Sequence, residues 1–240
     1  MPTILIGIDD TDNESSRGTG HLARQLYKEC EKRGLQPFGV TRHQFLLDPR
    51  IPYTSHNSGA CVAVIAADDA ESVAFAFDFV AERAAPGSDP GVCIADTESV
   101  LAPVADFAIA ATQRVLNIED ALLLGESAGI ALRALRKPGQ GVIGALGSVG
   151  LRASGSEGRF IELPGLRELN GRVDAQAFAC LGITLDYRPA DHRPSPGDSY
   201  DTLDWIRPRL VSGKPVLPVE WSERRDAWVP VDRKRSRPLE

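Results

Sequence analysis

Hydrophobic positions in the first half of the chain fall into short runs whose period alternates between strand-like and helix-like. Residues 3–8 fill with Ile and Leu and stop at acidic residues, which predicts a buried strand. Leu22, Leu26 and Cys30 then recur at helical spacing, and Gly34 after Arg33 predicts the helix C-cap. Residues 37–47 predict a second strand carrying Val40, Phe45, Leu46 and Leu47, interrupted by Arg42 and His43. Residues 60–66 predict a third. Residues 69–85 predict a helix with Val73, Phe77 and Val80 on one face and Asp68 or Asp69 as N-cap. A short strand follows at 92–95, and a β-α-β unit of this size fits a ferredoxin-like or related α+β module. A further helix is expected over 103–116, through Val104, Phe107, Ala108, Ala111 and Val115.

The second half is more broken. Apolar positions from Ile118 to Leu135 are interrupted by Gly125 and Gly129, and Arg136 and Lys137 lead into glycines at 139, 141, 144, 147 and 150. Small residues let backbone N–H groups approach an anion. The spacing matches neither a Walker A loop nor a dinucleotide fingerprint, and a helix packed through a glycine face accounts for it equally well. Strands are expected at 160–163 and 184–187, a short helix at 175–181, and a closing hairpin from 216–221 and 227–231. Tyr200-Asp201-Thr202-Leu203-Asp204-Trp205 places two carboxylates at helix-or-turn spacing beside aromatics. The basic tail at 232–237 reads as a solvated terminus.

Composition narrows this picture only modestly. At 240 residues the chain suits one large domain or two small ones, and a net charge of −6 excludes a molecule that binds polyanions over its whole surface. Any nucleic-acid contact must come from a local basic patch or another domain. Cys30, Cys61, Cys93 and Cys180 are scattered without ligand spacing, so reduced thiols, a cytoplasmic location and no zinc site are expected. No signal peptide is apparent and no window approaches the ~20 apolar residues of a membrane span.

The chemistry concentrates where the first strand ends. Asp9, Asp10 and Asp12 put three carboxylates within four residues, and a Gly18-Thr19-Gly20 entry opens the helix behind them. Crowded carboxylates repel one another unless a cation sits among them, and their hard oxygens suit Mg²⁺. A helix N-terminus beside them offers N–H groups to an anion. Metal-phosphate chemistry therefore stands against the simpler reading of a capped, solvated turn. The loop at 48–59, with Pro49, Pro52 and His56, suits a binding loop or an ordered surface crossing.

Several motifs in order carry a family resemblance. Gly7-Ile8-Asp9-Asp10-Thr11-Asp12, then Thr19 with Leu22-Ala23, resembles the N-terminal signature of the tRNA(Ile) 2-agmatinylcytidine synthetase family. The likeness continues through residues 48–53, Ser58-Gly59-Ala60, Asp89-Pro90-Gly91, residues 139–146, Tyr200-Asp201 with Asp204-Trp205, and Pro215-Val216-Leu217. The resemblance implies an α+β protein, a kinase-like α/β domain combined with a ferredoxin-like domain. We divide it at 1–135, with the acidic loop and the β-α-β unit, and 136–240, with the glycine stretch and the ferredoxin-like region. It implies ATP- and Mg²⁺-dependent phosphoryl transfer that activates a carbonyl on a nucleoside, RNA or small-molecule acceptor for attack by an amine such as agmatine.

Carried over by position, Asp9, Asp10 and Asp12 hold the metal and triphosphate, with Asp201 as a further metal ligand. Thr19 falls on the threonine that is autophosphorylated in the family, and Asp201 or Asp204 matches a further acidic catalytic position, Asp204 being taken for it. Thr11, Gly18, Gly20, Lys137, Gly139, Gly141 and Gly144 fall at cofactor-binding positions. The family's OB-fold and zinc-ribbon segments have no counterpart here, its R-G-N-G segment reads His56-Asn57-Ser58-Gly59, and the threonine after Thr19 is replaced by Gly20. A non-catalytic ATP-binding module, or a subunit of an RNA-modifying complex whose separate chain grips tRNA, is the alternative to an enzyme.

Overall fold

The structure is a computed structural model that describes residues 3–54, 56–65, 70–189 and 191–231. The expected N-cap at Asp68 or Asp69 and the basic tail lie outside these residues. Twelve strands and six α-helices are present among them. β1 (Thr3–Asp9), β2 (Gln36–Gln44), β3 (Ser58–Ile65) and β4 (Gly91–Asp96) form the first half of one mixed sheet in the order β4-β1-β3-β2, each neighbouring pair antiparallel. α1 (Thr19–Lys32) connects β1 to β2. A 3₁₀ turn at Ala70–Val73 followed by α2 (Phe75–Arg83) connects β3 to β4. This is a split β-α-β arrangement.

Both faces of this half-sheet are covered, which explains why its strands read as continuous apolar runs. On one face Ile4, Ile6 and Ile8 of β1 pack with Leu22 and Leu26 of α1 and with Val73, Phe77 and Val80. On the other, Leu5, Cys61, Cys93 and Ala95 meet Val104 of α3 (Ala102–Ala111), Ala121 of α4 (Ile118–Ser127), and Val142, Ala145 and Val149 of α5 (Gly141–Ser154). The glycine run is therefore a helix laid almost backbone to backbone on the sheet. A Cβ at Gly91 would stand 2.2 Å from the Gly141 carbonyl carbon, and one at Gly7 would stand 2.1 Å from the Ala145 carbonyl oxygen. α5 packs on β1, β3 and β4, so residues 141–154 lie against the first half of the sheet.

Two boundaries differ from expectation for local reasons. The helix expected over 69–85 is a 3₁₀ turn and an α-helix separated at Ala74. The broken stretch after Asn117 is α4, capped by the Asn117 side chain accepting from Asp120 N, then Gly129 at φ +65°, then β5 (Ala131–Ala134) paired with β4.

The sheet continues from β2 through β6 (Arg159–Glu162), β10 (Arg209–Val211), β11 (Lys214–Ser222) and β12 (Ala227–Pro230) to β9 (Tyr200–Asp201) and β7 (Arg172–Val173). β8 (Thr184–Tyr187) runs parallel to β11. The expected closing hairpin is β11–β12. A second core of Phe160, Phe178, Tyr200, Leu210, Leu217 and Trp228 holds this half together, with α6 (Ala175–Cys180) supplying Phe178.

Candidate active site

Asp9 closes β1 opposite Gly91 on β4. Its carboxylate lies over α5, where only glycine leaves room: a Cβ at Gly144 would fall 1.7 Å from Asp9 Oδ2. Burial pushes the Asp9 carboxyl up to about 7, and the neighbouring charges of Asp10 and Asp12 add to the rise against a lowering backbone hydrogen bond. Asp10 sits in the left-handed region, φ +50°, and is also raised, through burial first and then the charges of Asp89 and Asp12. The β1 exit is thus electrostatically frustrated. Carboxyls raised together at one strand end mark a candidate functional site.

Asp12 is the hub of the loop. Its Oδ1 accepts the Thr19 hydroxyl at 2.8 Å and the Thr19 amide at 3.2 Å, and its Oδ2 accepts the Thr54 hydroxyl at 2.8 Å. Thr19, the first residue of α1 and only 5% exposed, in turn accepts from the Thr11 hydroxyl at 3.1 Å. A hydroxyl is therefore fixed beside a carboxylate that can take its proton, at the start of a helix whose Gly18 cap makes no side-chain hydrogen bond.

Asp89 belongs to this neighbourhood, although the residues alone did not single it out. Its Oδ2 accepts from the amides of Gly139, at 2.7 Å, and Gln140, while its backbone carbonyl accepts from Gly141 N at 3.1 Å. Its Oδ1 is buried without a hydrogen-bond partner. Arg136 positions the loop that carries it, donating to the carbonyls of Ala84, Ala85 and Ser88. Its neighbour Lys137 is exposed. The amides at residues 139–141 are consequently paired inside the protein.

Asp9, Asp10 and Asp12 line a narrow cavity of about 60 Å³ together with Gly144, Gln140 and residues 51–54 and 56–58 of the proline-containing loop. Asp12, His56 and Ser58 also border a much larger groove of about 1010 Å³, which Gly18, Thr19 and Gly20 enter from α1. Six arginines (Arg17, Arg24, Arg42, Arg159, Arg207 and Arg209) line that groove. The cations oppose one another: Arg24 and Arg42 are lowered, by burial first, with Arg207 contributing to both. A local basic patch thus exists on an acidic chain, assembled from segments nearly two hundred residues apart.

Asp201 and Asp204 line neither space. Asp201 stands on β9, near the opposite end of the sheet from β1, and its carboxylate is held by Arg225 at 2.6 Å and by Leu203 N at 2.9 Å. Among the described residues no three His, Cys, Asp or Glu side chains converge as a ready-made metal cage. The carboxylates at the β1 exit nevertheless suit Mg²⁺, which takes one or two carboxylates and completes its shell with water and substrate phosphates.

The fold and site define an α+β protein with a carboxylate–threonine centre opening onto an arginine-lined groove. In sequence and fold it is similar to the tRNA(Ile) 2-agmatinylcytidine synthetase (TiaS) family. The TiaS protein from Methanocorpusculum labreanum is 29% identical over 215 residues, covering 87% of this chain and 48% of the relative. The one from Pyrococcus horikoshii is 30% identical over 151 residues, covering 60% and 35%. This chain thus spans about half or less of the length of the curated relatives it matches. A solved complex of TiaS with its isoleucine tRNA and ATP superposes with a TM-score of 0.55 at 30% identity, covering 62% of this chain and 36% of that one. A complex of TiaS with the same tRNA, AMPCPP and agmatine gives 0.52 at 28% identity, covering 62% and 36%. No family model matches the chain. No helix among the described residues is long and apolar enough to cross a membrane.

Proposed function

We propose that this chain is an ATP-dependent phosphoryl-transfer module that activates a nucleoside carbonyl in RNA, with an amine such as agmatine as the displacing nucleophile. The observation that carries the reading is the Thr19 hydroxyl donating to Asp12 at 2.8 Å beside the raised carboxyls of Asp9 and Asp10. Solved relatives in complex with an isoleucine tRNA, ATP and agmatine support it. We read residues 3–96 as the ferredoxin-like unit, with the carboxylate centre at its β1 exit and α5 packed beside it.

Asp9 and Asp10 would hold Mg²⁺, which when bound supplies charge neutralisation for the phosphate chain. Asp12 accepts the proton of Thr19 as the threonine oxygen bonds to the γ-phosphorus of ATP and the bond from that phosphorus to the bridging oxygen breaks, releasing ADP. Thr11 fixes the rotamer of that hydroxyl, and Thr54 ties the 48–58 loop to the same carboxylate. The groove arginines neutralise phosphates of the nucleotide and of the RNA backbone. The amides at 139–141 stay on Asp89, so Gly139, Gly141 and Gly144 serve the site by bringing α5 close to β1 and β4.

Incubation with Mg²⁺ and γ-labelled ATP tests this reading. Wild type should become labelled, Thr19→Ala should not, and Asp12→Asn should lose most of the rate. A wild type that neither labels nor turns over ATP, with or without RNA and agmatine, refutes it. Saturable ATP binding without turnover would instead assign a non-catalytic role.

A further inference from the structure

Trp205 lies in the turn between β9 and β10 and is 44% exposed, although the other two tryptophans, Trp221 and Trp228, pack against one another in the C-terminal core. It is ringed by cations. The Arg167 guanidinium carbon sits 3.8 Å from the ring centroid, that of Arg207 at 5.1 Å and that of Arg24 at 5.6 Å. Arg24 and Arg207 line the large groove with Trp205 itself, and Arg24 also lines a neighbouring hollow against α1 that holds Arg167, which pairs with Glu162 at 3.5 Å and donates to the Ile161 carbonyl. The indole therefore carries an anchored guanidinium against its ring and borders the groove beside two further cations.

An indole left 44% exposed among guanidinium groups suits a partner with both a π-face and negative charge. Nucleotides in a single strand have both: bases stack on an aromatic ring while their phosphates pair with flanking arginines. A duplex keeps its base faces inside its own stack. The groove, at about 1010 Å³, extends from Thr19 and Asp12 to Val211 and exceeds the space that one bound nucleotide fills.

We propose that Trp205 is the base-stacking platform for a single-stranded RNA segment lying in this groove, an inference that rests on the reading of the acceptor as RNA. Trp205 thereby positions the strand whose reacting base is presented to the Asp12–Thr19 centre. It has no part in the phosphoryl transfer.

The test is fluorescence anisotropy with a labelled, unstructured oligoribonucleotide of about ten nucleotides at low salt. Trp205→Ala should bind about tenfold or more weakly, the loss typical of one stacked base, and Trp205→Phe should stay within a few-fold of wild type. Tryptophan emission of the wild type should be quenched at saturation, and that of Trp205→Phe should change little. Equal binding and equal quenching in wild type and variants overturns the platform and leaves the RNA reading standing. A wild type that labels Thr19 with ATP but binds no oligoribonucleotide overturns both the platform and RNA as acceptor. If Trp205→Ala loses ATP affinity while RNA binding holds, the ring serves adenine and the proposal fails. Should Trp205→Ala melt at lower temperature, the Trp205→Phe quenching comparison decides alone.

Discussion

Asp9→Asn isolates the cost of placing a carboxyl where β1 meets α5. The ordinary aspartate value of 3.8 becomes about 7 in the folded chain. Between these values the native state holds a proton that the unfolded state has released. Stability contributed by this group is therefore full below about pH 4, declines as pH rises through the window from 4 to 7, and is absent above it. The rise of roughly three pH units corresponds to about 4 kcal/mol at most, and partial solvent access at the strand end reduces the expected effect to roughly 2 to 4 kcal/mol. Asparagine keeps the shape over Gly144 without the charge. In metal-free buffer the variant should match wild type near pH 4 and exceed it at pH 8.5, by roughly 5 to 15 °C in Tm for a domain of this size. Circular dichroism melts across that range make the comparison. Parallel curves for the two proteins would show that Asp9 is not held in a hostile environment, and would remove the electrostatic argument for a cation at this loop.

Two other outcomes follow from close contacts and burial. Gly144→Ala should abolish Thr19 labelling at a smaller cost in Tm, because the atoms nearest its Cβ all belong to the Asp9 side chain (Oδ2 at 1.7, Cγ at 2.5 and Cβ at 2.9 Å) and not to backbone; Gly91→Ala, which meets the Gly141 backbone at 2.2 Å, should lower Tm sharply. A melt paired with the labelling assay separates the two, and equal Tm losses would contradict the assignment. Burial pushes Cys30 and Cys61 up to about 12 and Cys93 well above its ordinary range, whereas Cys180 is exposed, so Ellman's reagent at pH 8 should titrate Cys180 quickly and the other three only after denaturation.

What could be read in advance follows the distance over which each feature is encoded. β1, its acidic exit and α1 are contiguous, so strand period, carboxylates and helix entry announced themselves together. β5 was hidden: its four residues follow a helix, carry Arg133 in the middle, and become a strand only because β4 offers an edge. Asp89 stood in the Asp89-Pro90-Gly91 motif without a role, since an Asp before Pro90 looks like a turn until Arg136, far along the chain, fixes the loop. The groove could not be seen at all in a net charge of −6. Its arginines run from position 17 to 209 and meet only because β2 pairs with β6 and β6 with β10.

The pairing of Asp89 with the start of α5 has a consequence for how any anion would enter. A ligand reaching for those amides meets an internal competitor already seated there, so binding would be an exchange that swaps one carboxylate for another negative group. Little attraction is gained at that point, and the Asp89 charge, which already acts on Asp10, would lose the amides that hold it. Selectivity for a substrate that brings its own cation follows directly: a bare anion gains little, whereas a metal-bearing one relieves both carboxylates at once.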